Sequence, residues 1–126
     1  MTDKELFELA IKASDNSYSP YSGFKVGAAL ETADGKVFTG CNIENGSYSL
    51  TVCAERTAIF KAVSEGHKHF TRIAVTGSSS KDHSKPCPPC GACLQVISEF
   101  CGDDIKIILA DKTYTLKQLL PLRFDL

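Results

Sequence analysis

The sequence predicts an α/β fold in three layers, a mixed sheet with helices on both faces. Three observations predict it. Helical and strand periodicities alternate along the chain. An Asp34-Gly35 turn joins two early strands into a hairpin. The later strands are separated by helix-length segments that suit parallel crossovers. At 126 residues the chain fits one domain, 1–126, built around one core.

Each element has a local reason. Thr2 and Glu5 have capping-box spacing, and Leu6, Leu9, Ala10 and Ala13 follow at helical intervals. Ser19-Pro20-Tyr21-Ser22-Gly23 breaks the chain. Phe24, Val26, Ala28 and Leu30 alternate with Lys25, Gly27 and Ala29, which predicts a strand; the second strand of the hairpin runs from Val37 to Ile43. Asn45 to Ser49 reads as loop. From Cys53 the pattern turns helical, with Ala54, Ala58, Ile59, Ala62 and Val63 apolar and Gly66 as the stop. Arg72 to Thr76 is a β-branched strand and Gly77 to Lys85 a polar loop. Pro89 suits the start of a helix through Val96, Ile97 and Phe100, ending near Gly102. Ile105 to Ala110 reads as strand, and Thr115 caps a short helix that Pro121 ends.

Bulk composition excludes several classes. With 14 basic and 15 acidic residues the net charge is −1, so no cationic surplus exists to neutralise a nucleic-acid backbone. Apolar content of 43% is too high for extended disorder. No apolar run approaches the roughly 20 residues of a membrane span. The start, Met1-Thr2-Asp3-Lys4-Glu5, lacks the cationic and apolar stretches of a secretion signal. A cytoplasmic setting is therefore expected, where thiols stay reduced. The six cysteines, Cys41, Cys53, Cys87, Cys90, Cys93 and Cys101, then point to metal binding for at least some of them rather than to three disulfides. Cys41 and Cys101 read as small core residues. His67, His69 and His83 fall in polar, loop-like stretches and read as surface residues.

Two motifs carry the chemistry. Cys53-Ala54-Glu55 and Pro89-Cys90-Gly91-Ala92-Cys93 each open a predicted helix. Zinc favours thiolate ligands in a tetrahedron, and a catalytic zinc keeps one position for an acidified water. Cys53, Cys90 and Cys93 would leave that position free. Helix N-termini lower thiol pKa and favour the ligating thiolate. Glu55 is the candidate proton shuttle beside the metal. Residues two apart do not share a helix face, so Cys53 and Glu55 cooperate only if Cys53 lies at the irregular first turn. Three thiolates on one zinc leave a net charge of −1, and Arg56 can offset part of it by donating to ligand sulfurs. Two other readings stay open. Cys87 with Cys53, Cys90 and Cys93 would give a closed structural site, and a CxxC can be a redox pair.

The chain also resembles the small zinc-dependent cytidine deaminase family along nearly its whole length. The resemblance lies in five ordered segments. They are Ala13 to Leu30, with Tyr18-Ser19-Pro20-Tyr21-Ser22-Gly23-Phe24; Asn42-Ile43-Glu44-Asn45-Gly46-Ser47-Tyr48; Cys53-Ala54-Glu55-Arg56-Thr57-Ala58; Pro89 to Cys93; and Leu119-Leu120-Pro121 with Phe124. It implies a three-layer α/β/α fold with a mixed five-stranded sheet, cytidine deaminase-like. It implies one Zn2+ per subunit and hydrolysis of cytidine and 2′-deoxycytidine to the uridines with release of ammonia, in pyrimidine salvage. It implies that Phe24, Asn42 and Glu44 form the nucleoside pocket, that backbone groups at Cys53 and Ala54 read the pyrimidine, and that Phe124 stacks on the base. It implies a homotetramer with shared active sites. No nucleic-acid or membrane partner is expected. The alternatives are a deaminase of another aminopyrimidine nucleoside, such as blasticidin S, or a structural zinc module. The sequence departs from the family in two places: Leu94 stands where Arg is usual, which increases dependence on Arg56, and Cys87 precedes the second motif.

Overall fold

The computed structural model describes residues 1–126. Four helices and five strands follow in the order α1 (Asp3–Ser14), β1 (Lys25–Thr32), β2 (Val37–Cys41), α2 (Ala54–Ser64), β3 (Phe70–Ser78), α3 (Gly91–Phe100), β4 (Lys106–Ile108), β5 (Thr113–Thr115) and α4 (Leu116–Leu119), with a 3-10 turn at Tyr48–Leu50 before α2. The strands form one mixed sheet in the order β2-β1-β3-β4-β5. β1 runs antiparallel to both β2 and β3, β3 and β4 are parallel, and β5 closes the far edge antiparallel to β4. The crossover through α3 is thus the parallel connection that the alternation predicts.

The sheet sorts its side chains by pleat. Ala28 and Leu30 of β1, with Ile73 and Val75 of β3, meet Ala58, Ile59, Leu94 and Ile97 from α2 and α3 on one face. Ala29 and Ala74 point the other way and meet Leu6 and Ala10 of α1. Three layers result, with α1 alone on one side. The buried aliphatic side chains contribute about 1.5–3 kcal/mol each.

Two glycines set how closely helices seat on this sheet. A Cβ on Gly27 would stand 1.9 Å from the Ala10 carbonyl oxygen of α1. A Cβ on Gly40 would stand 2.5 Å from the Ala58 nitrogen and 2.6 Å from the Ala54 oxygen of α2. Both helices therefore rest on bare backbone.

Local signals place the ends of the elements. Thr2 and Glu5 make the predicted capping box on α1, and Thr115 with Gln118 makes another on α4. Gly35 turns the hairpin and Gly66 follows α2, each with positive φ. Arg72 on β3 ties three segments together. It makes a two-pronged pair with Glu31 of β1 at 2.8 and 2.7 Å, and it meets Asp3 at the start of α1 at 2.6 Å.

Several boundaries differ from the sequence reading. β2 stops at Cys41 rather than Ile43, because Ile43 leaves the sheet to bridge Tyr18 and Val52. β3 runs on to Ser78, since pairing with β1 continues to Lys25. The second motif is not yet helix at Pro89, because α3 begins at Gly91. β4 keeps only three residues, and β5, which no local pattern marked as strand, pairs with all three.

Candidate metal centre and substrate pocket

The two cysteine motifs meet because α2 and α3 lie side by side on one face and begin at the same end. Cys53 is the N-cap of α2 and Cys90 the N-cap of α3; both have extended backbone. Cys93 lies in the first turn of α3 and is fully buried. The three sulfurs lie within 4.8 Å of one another, and the Cys53 and Cys90 sulfurs are 3.9 Å apart. Tetrahedral zinc with bonds of about 2.3 Å places its sulfurs about 3.8 Å from each other, so the donor set fits. Cys87 stands outside that cluster, its sulfur against Gly77 beside the Phe24 ring. All six thiols are free.

Cys53 is extended and lies outside the helix proper, so the helix-face rule does not separate it from Glu55 of the first turn. Glu55 is 3% exposed, and its Oε1 has no hydrogen-bond partner. Burial pushes the Glu55 carboxyl up to about 7, and the neighbouring Cys53 adds to the rise. An orphaned carboxylate oxygen beside three sulfurs suits a site that receives a polar reactant.

The sulfurs divide their charge unequally. A hydrogen bond from Cys93 and the Arg56 guanidinium hold the Cys53 thiol at about 5. The hydrogen bond with Cys53 and burial push the Cys93 thiol up. Arg56 Nη2 donates to the Cys53 sulfur at 3.5 Å. Leu94, which takes the place of the usual Arg, is instead a core residue packed under α3.

The residues expected to form the pocket are held by their own network. Asn42 is 8% exposed and braces β1: its Nδ2 donates to the Phe24 carbonyl at 2.9 Å, and its Oδ1 accepts from Val26 N at 2.9 Å and from Ser17 Oγ. Glu44 is 9% exposed and accepts from Tyr21 N at 3.0 Å, Ser22 N at 3.1 Å and the Ser22 hydroxyl. The Ser22 contacts hold its carboxyl below the usual range. Glu44, Ser22, Tyr48 and Thr51 line an open cavity of about 400 Å³. Phe24 is 38% exposed, and Ala54 is fully buried, so Ala54 has only backbone to offer. Phe124 is not brought to this place; it is exposed at the opposite end of α3.

Some features had no sequence signal. Ser17 and Ser22 orient Asn42 and Glu44 across 25 and 22 positions. His83 is half-buried and shares a 2.9 Å hydrogen bond with the buried Thr76, so it is not a free surface group. His67 is half-buried too, its ring 5.2 Å from Phe38.

Residues 1–109 match the family described as the cytidine and deoxycytidylate deaminase zinc-binding region. The chain is 48% identical over 126 residues to the cytidine deaminase of Halalkalibacterium halodurans, covering 96% of this chain and 92% of that one. It is 35% identical to the blasticidin-S deaminase of Bacillus cereus, over 97% of this chain and 91% of the other. The crystal structure of cytidine deaminase from Burkholderia pseudomallei superposes with a TM-score of 0.89 at 45% identity, covering 98% of this chain and all of that one.

Proposed function

Because the chain belongs to the zinc-dependent cytidine and deoxycytidylate deaminase family, we propose that it hydrolyses the 4-amino group of cytidine and 2′-deoxycytidine, releasing ammonia. The observation that carries this reading is the buried, unpartnered Glu55 oxygen beside three sulfurs spaced for zinc. A zinc ion held by Cys53, Cys90 and Cys93 supplies Lewis acidity that eases deprotonation of water at neutral pH.

The chain's own residues do the rest. Glu55 takes the first proton of the attacking water and passes it to N3 as the C4–O bond forms. It then carries the second proton from that oxygen to the amine, and the C4–N bond breaks to give ammonia and the carbonyl. Arg56 offsets the excess negative charge of the sulfurs. Glu44 still has lone-pair capacity beyond its three donors, which suits a ribose hydroxyl. Asn42 positions Phe24, since its amide donates to the Phe24 carbonyl. Backbone groups at Cys53 and Ala54 read the pyrimidine edge.

Phe124 serves as the base-stacking wall of a neighbouring subunit within a homotetramer. Its place supports this: α3 spans about 15 Å between its two ends, beyond the reach of one side chain back to Cys90. No helix is long and apolar enough to cross a membrane, and we place the enzyme in the cytoplasm.

The test is loss of cytidine absorbance with native, chelated and Glu55→Gln protein. Chelation should abolish turnover and zinc restore it. Glu55→Gln should keep one zinc per chain while losing about 10²–10⁴-fold in kcat. Undiminished turnover in that variant would sink the reading in favour of a structural zinc. A panel of cytidine, 2′-deoxycytidine and blasticidin S separates the substrate classes.

A further inference from the structure

We infer that Arg123 is a positioning residue, pinning the C-terminal segment to the end of α3 so that Phe124 is held where a neighbouring copy can use it. The inference rests on the reading of Phe124 as part of a neighbour's nucleoside site.

A helix leaves its last carbonyls without internal partners, and its C-terminal end is electronegative. α3 breaks into extended backbone at Cys101, and a cation suits that end. Arg123 supplies it. Its Nη2 donates to the Ser98 carbonyl at 2.5 Å and the Cys101 carbonyl at 3.1 Å, and its Nη1 donates to Asp103 Oδ1 at 3.1 Å. The side chain is 23% exposed; Nη1 and Nη2 meet these partners, while Nε is buried without one. A fork of this shape holds one orientation, which a flexible ammonium does not.

Arg123 is also the last polar tie of the chain. Upstream, Leu120 N donates to Leu116 O and Lys117 Nζ to the Pro121 carbonyl. Downstream, Phe124 is 67% exposed and lines a cleft together with Gln95 and Glu99 of α3. The position of the ring therefore depends on the clamp one residue before it. The same helix carries Cys90 and Cys93 at its other end, so α3 joins the metal seat of one copy to the ring offered to another.

The experiment is steady-state kinetics on the assembled, zinc-loaded enzyme with Arg123→Met, Arg123→Lys, Phe124→Ala and the Arg123→Met/Phe124→Ala double variant. Freeing one residue's backbone order corresponds to about tenfold in binding. Arg123→Met and Phe124→Ala should each raise KM about tenfold with kcat within about threefold. The double variant should be no worse than Phe124→Ala, because an absent ring gains nothing from being pinned. Arg123→Lys should recover part of the loss. Unchanged KM in Arg123→Met beside a raised KM in Phe124→Ala, or additive losses in the double variant, overturns the inference alone. Unchanged KM in Phe124→Ala removes the pocket reading beneath it. Should Arg123→Met not fold, Asp103→Asn removes one prong and is expected to raise KM about threefold; no change there overturns the inference.

Discussion

Replacing Gly40 with Ala should loosen the metal seat without touching any residue in it. The added methyl would lie 2.5 Å from the Ala58 nitrogen and 2.6 Å from the Ala54 oxygen. Restoring ordinary contact at 3.4 Å from 2.5 Å needs α2 to recede from β2 by about 0.9 Å, because both obstacles are backbone. Overpacking of this kind costs about 1–3 kcal/mol, which for a chain of this size is about 4–10 °C in Tm. Cys53 caps the displaced helix whereas Cys90 and Cys93 ride on α3. Metal sites tolerate errors of about 0.2 Å, so zinc affinity should fall about 10–100-fold. The assay is competition with a chromophoric chelator, paired with thermal melting of metal-free protein. A Tm within about 1 °C of the parent and zinc affinity within about threefold would show that α2 does not seat on Gly40 as described.

Three further outcomes are expected. Arg56→Gln should lower kcat about tenfold while zinc content stays at one per chain, since a donor to the Cys53 sulfur is lost; unchanged kinetics would remove the charge-offset role. In metal-free protein, Glu31→Gln should lower stability by about 1–2 kcal/mol at neutral pH, discounted for solvent around the Arg72 pair. The Arg72 guanidinium lowers the Glu31 carboxyl from 4.5 to about 2, so this stability is present above 4.5 and fades as pH falls towards 2. Urea midpoints of the two proteins should therefore converge through that window, and a gap that widens on acidification would contradict the assignment. Thr2→Ala, which removes half of the α1 capping box, should cost about 1 kcal/mol by denaturant titration, with kcat unchanged.

What was legible in the sequence was local or chemically forced. The Thr2–Glu5 capping box, the Thr115 cap, the Asp34-Gly35 turn and the Gly66 stop involve neighbours within a few residues, so they are visible in the string. That Cys53, Cys90 and Cys93 gather into one cluster was legible because both motifs open helices, although Cys87 and a redox pair stayed open as alternatives. β5 was not: Thr113–Thr115 is too short for a period, and only its pairing with β4 makes it a strand. Asn42 and Glu44 were found through resemblance, but their work as braces for Phe24 and for the turn at Tyr21 and Ser22 was hidden. Those contacts cross 18 and 23 positions, and no spacing rule records them. His83 misled for the same reason, since its buried partner Thr76 lies across a loop. Leu94 looked like a lost charge, whereas its side chain belongs to the core beneath α3.

The three sulfurs come from points 37 residues apart in the chain, with a whole strand between them. An ion that grips both ends fastens a loop whose closure costs the unfolded chain about 4 kcal/mol of entropy. A newly made polypeptide offers Cys90 and Cys93 as a ready pair, but Cys53 arrives only when α2 and α3 are already docked. Firm retention of the ion therefore marks a finished molecule, and a half-built one should surrender its metal to any competing thiol in the cell.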